Sequence, residues 1–133
     1  MKTRKEIFTI EKDGHPYTYS GWRYSINPYD DAIRYSDDYE LISDLPEEYY
    51  NAAMDTIKKW FVPANNSCLR HTSYGYKHWL EEEIKHYISN NQMKDAMLRL
   101  GFEVKDYRDL NWYFKVKPTE ELKEWLNNHN KNW

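Results

Sequence analysis

Residues 72–102 read TSYGYKHWLEEEIKHYISNNQMKDAMLRLGF, and this stretch decides the fold. Thr72 or Ser73 starts a helix, and Tyr76, Leu80, Ile84, Tyr87 and Ile88 recur on one face, which predicts a helix to about Ile88. Ser89 followed by Gln92 is a capping box, in which each side chain satisfies a backbone N–H at the other's position. A second helix therefore begins at once and runs over 90–100, with Met93, Ala96, Met97 and Leu100 inside. Gly101 stands where a positive φ follows a helix, and Phe102 folds back on the last turn. Two helices joined this tightly are the heart of a helix-turn-helix.

The flanks complete the unit. Residues 102–107 and 112–117 are β-prone runs around Arg108, Asp109, Leu110 and Asn111, and they predict a wing. Upstream, Asp44 with Glu47 reads as a capping box and Pro46 suits a first turn. Tyr50, Ala53, Met54, Ile57, Trp60 and Phe61 then form one apolar stripe, and Val62-Pro63 closes the helix. Pro118-Thr119 starts a last helix with Leu122, Trp125 and Leu126 inside. At the N-terminus, Asp13-Gly14 is a hairpin turn pair between an alternating run over 6–11 and a return strand over 17–26, with a bulge at Gly21 and an end at Asn27-Pro28. Residues 29–43 fit either a short strand or a packed loop. The fold class is α+β in one domain: a β-hairpin and acidic segment over 1–45, a winged-helix-like core of three helices and a β-hairpin over 46–117, and a C-terminal helix over 118–133.

Composition sets the boundaries. The chain has 133 residues, and Ile, Leu, Val and Phe supply only 24 of them. Thirteen Tyr and six Trp supply the missing core material, because each aromatic ring buries a large area. No apolar run is long enough for a transmembrane helix, and the first ten residues have no signal-peptide core, so a cytoplasmic protein is expected. A lone Cys68 rules out an intramolecular disulfide framework.

The net charge of -3 is unevenly distributed. Residues 30–55 hold nine acids against Arg34 alone, with tyrosines among them. Asp30, Asp31, Tyr35, Asp37, Asp38, Tyr39, Glu40, Glu47 and Glu48 form a candidate surface for a basic partner, since carboxylates and rings together imitate phosphates and stacked bases. The other reading is a solvated loop and helix start. A competing site is DNA contact through the second helix and the wing, using Asn91, Gln92, Lys94, Arg99, Arg108 and Lys115, whose amides and cations suit base edges and phosphates. The acidic pI weighs against it.

Chemistry has little support in the residues. His78, Glu82 and His86 share one helical stripe, with Cys68 and His71 upstream, and these are zinc ligand types. The stripe lies opposite the apolar face and reads more simply as ordinary surface. Cys68 and His71 lack a third orienting group. No Gly-rich phosphate loop occurs. We expect no enzyme, no metal and no cofactor.

Residues 70–116 carry a resemblance. The Ser-Tyr-Gly-x-Lys-His start at 73–78, the Tyr-Ile-Ser-Asn turn at 87–90 and the Ala-Met-x-x-x-Gly-Phe end at 96–102 are similar to small proteins carried by phages and integrative elements of Gram-positive bacteria. In its small, acidic, aromatic-rich character the chain resembles anti-CRISPR inhibitors of type II systems. The resemblance implies a non-catalytic inhibitor that binds a CRISPR effector nuclease, or its guide-RNA complex, and blocks DNA binding or cleavage. A winged-helix DNA-binding regulator is the alternative.

Overall fold

A computed structural model describes residues 7–19 and 40–132. Among these, two short antiparallel sheets and four α-helices make an α+β architecture. Strands β1 (Thr9–Lys12) and β2 (His15–Thr18) form the N-terminal hairpin. Lys12 pairs with His15, so Asp13 and Gly14 are its two-residue loop, with φ of 54° and 78°. Both values are positive, as the favoured hairpin turn demands. The return strand begins at His15, two residues earlier than expected, and the Gly21 bulge and the Asn27-Pro28 end lie outside the described residues.

Leu41 and Ile42 are buried in a packed loop that closes as a 3₁₀ turn over Ile42–Asp44. Here the sequence reading needs correction. The Asp44 carboxylate accepts from the Leu41 N–H at 2.8 Å and closes this turn instead of capping the next helix. Helix α1 (Glu47–Trp60) follows Pro46, and no side chain caps it. It buries Ala53, Met54, Ile57 and Trp60, while Tyr50 is half-buried. Phe61–Pro63 does not merely stop the helix: it is strand β3.

Helix α2 (Ser73–Ile84) ends about one turn before the expected Ile88. Lys85 adopts a left-handed φ of 61°, and Glu81 Oε1 captures the Ile88 N–H at 3.2 Å. That reversal sends Ile88 into the core but leaves Tyr87 exposed and Ile84 half-buried, against the expected face. Trp79 and Lys77 are buried instead. Helix α3 (Asn90–Arg99) starts at the foreseen capping box, with Gln92 N–H on Ser89 Oγ at 3.0 Å and Ser89 N–H on Gln92 Oε1 at 2.9 Å. It ends in a Schellman motif: Phe102 N–H reaches the Met97 carbonyl, Gly101 N–H reaches Leu98, and Gly101 has φ of 84°.

The wing is less regular than a hairpin. Val104 and Phe114 form one bridge, flanked by Lys105 N–H to Tyr113 O and Lys115 N–H to Glu103 O, both 2.8 Å. Its alternation still holds, with Val104, Trp112, Phe114 and Val116 buried and Glu103, Lys105 and Tyr113 outside. The wing then continues into β4 (Val116–Pro118), which pairs antiparallel with β3. This strand pairing brackets α2 and α3 and gives the winged-helix-like unit its closure. Thr119 caps α4 (Glu120–Asn128) through its Oγ1 and donates its backbone N–H to the Trp60 carbonyl. Leu122, Trp125 and Leu126 are buried as expected, with Trp125 4.9 Å from Trp60 between ring centroids. No helix among the described residues is long and apolar enough to cross a membrane.

Candidate functional site

The helix that would read DNA in a winged-helix unit is α3. The sequence reading puts Asn91, Gln92, Lys94 and Arg99 on its solvent-facing side. In the structure Asn91, Gln92 and Lys94 are buried, which corrects that expectation, and Asp95 is buried beside them. The hairpin end, the 3₁₀ turn and the wing tip together cover them.

Gln92, Lys94 and Asp95 each have specific partners, as burial requires. Gln92 Nε2 donates to the Leu41 carbonyl at 3.2 Å. Asp95 accepts from Ile42 N–H at 2.9 Å, from the Tyr19 hydroxyl at 3.3 Å and from Arg99 Nε at 2.9 Å. The Lys94 ammonium donates to the carbonyls of Tyr19 and Leu110 and sits 4.5 Å from the Trp112 ring centroid. Cation, carboxylate and amide therefore tie the N-terminal arm to α3. Burial, the Asp95 charge and their hydrogen bond push the Tyr19 hydroxyl well above its ordinary pKa.

The remaining cations of this candidate site are paired. Burial works against the Arg99 charge, but Asp95 overrides it and holds the guanidinium charged; a second nitrogen donates to Ser43 Oγ at 3.2 Å. Arg108 grips Asp106 through two nitrogens at 3.0 and 2.9 Å. Lys115 meets Glu103 at 3.1 Å. The structure thus brings Arg99, Arg108 and Lys115 to the surface with carboxylates attached, and it removes Asn91, Gln92 and Lys94 from the surface altogether.

The acidic candidate surface is described in part. Asp30, Asp31, Tyr35, Asp37, Asp38 and Tyr39 lie outside the described residues. Glu40 is half-buried. Glu47 and Glu48 are exposed in the first turn of α1, where the helix dipole favours negative charge. Neither takes part in an ion pair among the described residues. Asp55 is exposed about two turns further along, on the side of Glu48.

The zinc-type stripe disperses. His78 meets Glu81 at 3.2 Å, Glu82 meets Lys131 at 3.2 Å, and the His86 ring lies 4.3 Å from Tyr49. His71 bonds the Asn132 carbonyl and Cys68 the Asn66 carbonyl. Among the described residues no three His, Cys, Asp or Glu side chains are grouped to hold a metal ion.

Sequence reasoning missed one surface feature. Lys77 lies between two half-exposed tyrosines, 5.6 Å from the Tyr74 ring and 4.8 Å from Tyr87, with its charge on Glu81 at 2.8 Å. Tyr87 reaches it only because α2 ends early, and helical periodicity carries no sign of that. Compared with protein-family models, curated proteins and solved structures, the chain matches none.

Proposed function

We propose that this chain acts by binding a protein, without catalysis or a cofactor, as a mobile-element inhibitor of a type II CRISPR effector nuclease in the bacterial cytoplasm. The acidic segment from Asp30 to Asp55 would enter the basic channel that holds the guide duplex and the displaced strand, and so block DNA binding or cleavage. Such a channel is lined by Lys and Arg, so carboxylates are complementary to it and gain association rate from steering. The observation that carries the reading is the state of α3. Its polar face is buried under the N-terminal arm, and Arg99, Arg108 and Lys115 already hold carboxylates. Phosphate attraction supplies most non-specific DNA affinity, and paired cations have little to offer it. By contrast, Glu47 and Glu48 are exposed and unpaired on α1. The choice of effector comes from the small, acidic, aromatic-rich character in which the chain resembles type II anti-CRISPR inhibitors, and the mobile-element origin from the resemblance of residues 70–116.

Pull-down of a guide-loaded type II effector, with and without nuclease treatment, tests this. Retention after nuclease treatment, together with reduced DNA cleavage, is the expected result. Capture that disappears with the nucleic acid would favour the DNA-binding regulator.

A further inference from the structure

The C-terminal turn folds back toward the start of α2. Asn130 takes a left-handed φ of 55°, and the Lys131 N–H returns to the Leu126 carbonyl at 2.8 Å. The Asn132 carbonyl then meets His71 Nε2 at 3.1 Å. This reversal frames an open concavity of about 420 Å³ lined by Arg70, Asn127, Lys131 and Asn132. Among the described residues the lining is two cations and two carboxamides.

The Arg70 guanidinium is exposed and has no hydrogen-bond or ion-pair partner among the described residues. Lys131 leans on Glu82 at 3.2 Å, which uses one of its three donors. Helix C-termini normally repel anions through their free carbonyls. Here those of Trp125, Leu126 and Asn127 already accept from His129, Lys131 and Asn130.

We propose that this concavity binds a phosphate group, as the free ion or as a phosphomonoester. Arg70 and Lys131 bring a guanidinium fork and an ammonium to its lining, and Asn127 and Asn132 bring two carboxamides. A tetrahedral dianion can take several such donors at once, whereas a planar carboxylate satisfies the fork alone. The volume falls in the range of small-ligand sites, which leaves space for the group a phosphomonoester carries. The proposal is independent of the acidic surface and of the partner assigned to it.

Amide NMR on the full chain tests it, with inorganic phosphate in one titration and a nucleoside monophosphate in another. Saturable shifts at the side-chain amides of Asn127 and Asn132 are expected below about 10 mM ligand. Arg70→Gln should weaken binding about tenfold, because it removes a charge-assisted fork. Its melting temperature should match the parent's, since Arg70 is exposed, and Lys123→Gln, on a lysine outside the concavity, should bind as the parent does. Saturation by inorganic phosphate assigns the site to the free ion, and saturation by the monophosphate alone assigns it to the ester. Shifts that never saturate with either ligand, or an Arg70→Gln variant as tight as the parent, would overturn the proposal.

Discussion

The carboxylate of Asp95, on α3, accepts a hydrogen bond at 2.9 Å from the backbone N–H of Ile42, 53 residues earlier. The same carboxylate holds Tyr19 and Arg99. One buried acid therefore fastens the 3₁₀ turn and the hairpin end onto the helix. Asp95→Ala would leave a buried N–H and a buried hydroxyl without this acceptor and would release the Arg99 charge. We expect a loss of about 3 kcal/mol, read by urea unfolding. A loss below about 1 kcal/mol would mean that the arm is not held through this group.

Trp112 is fully buried, with the rings of Tyr19, Tyr107 and Phe114 around it and the Lys94 ammonium over its face. It joins the wing to α2 as well, through its N–H on Ser73 Oγ and its carbonyl on the Ser73 N–H. Trp112→Ala should cost about 3–5 kcal/mol, a large part of what a small domain has. Thermal melts should show a collapse of the transition; a midpoint within a few degrees of the parent would place Trp112 outside the core.

Alkaline pH probes the same region. Burial raises the hydroxyls of Tyr19, Tyr76 and Tyr107 above their ordinary value of 10.0, with Asp95 adding to the first and Glu103 to the last. The folded chain thus prefers neutral tyrosine. The unfolded chain ionises first, so stability is retained below about pH 10 and falls as pH rises beyond it. Tyr76→Phe should make that fall shallower. Denaturant midpoints unchanged up to about pH 11 would contradict this.

How far the fold was legible follows from how local each signal is. Asp13-Gly14, Ser89 with Gln92, and Gly101 with Phe102 act within a few residues, and each stands where the sequence places it. The apolar stripe of α4 was equally plain. Strands β3 and β4 have three residues each, too few for an alternation to show, and they meet across the whole winged-helix-like unit. The burial of Gln92, Lys94 and Asp95 was not legible either. It depends on Tyr19, Leu41 and Ile42, which are far off in the chain. Read alone, three polar residues on a helix mean a wet face.

DNA binding is predicted to be weak. With Arg108 held bidentate by Asp106, Arg108→Ala should leave duplex affinity unchanged in an anisotropy titration. The parent should bind no tighter than about 10 µM at moderate salt, within the non-specific range. Nanomolar, sequence-dependent binding would overturn the burial argument for α3.

The exposed acids should set association with the effector. Glu47→Lys with Glu48→Lys should slow it about tenfold at low salt, an effect that fades as salt rises. Opposing the α1 dipole should also cost about 0.3–1 kcal/mol per residue, so stability must be measured alongside. An association rate equal to the parent's across the salt series would remove these residues from the interface.

The most direct measurement is the affinity of the purified chain for a nuclease-treated, guide-loaded type II effector near physiological salt. The account predicts a 1:1 complex with Kd below about 1 µM that weakens steadily as salt is added. No association at about 10 µM of both components would contradict it.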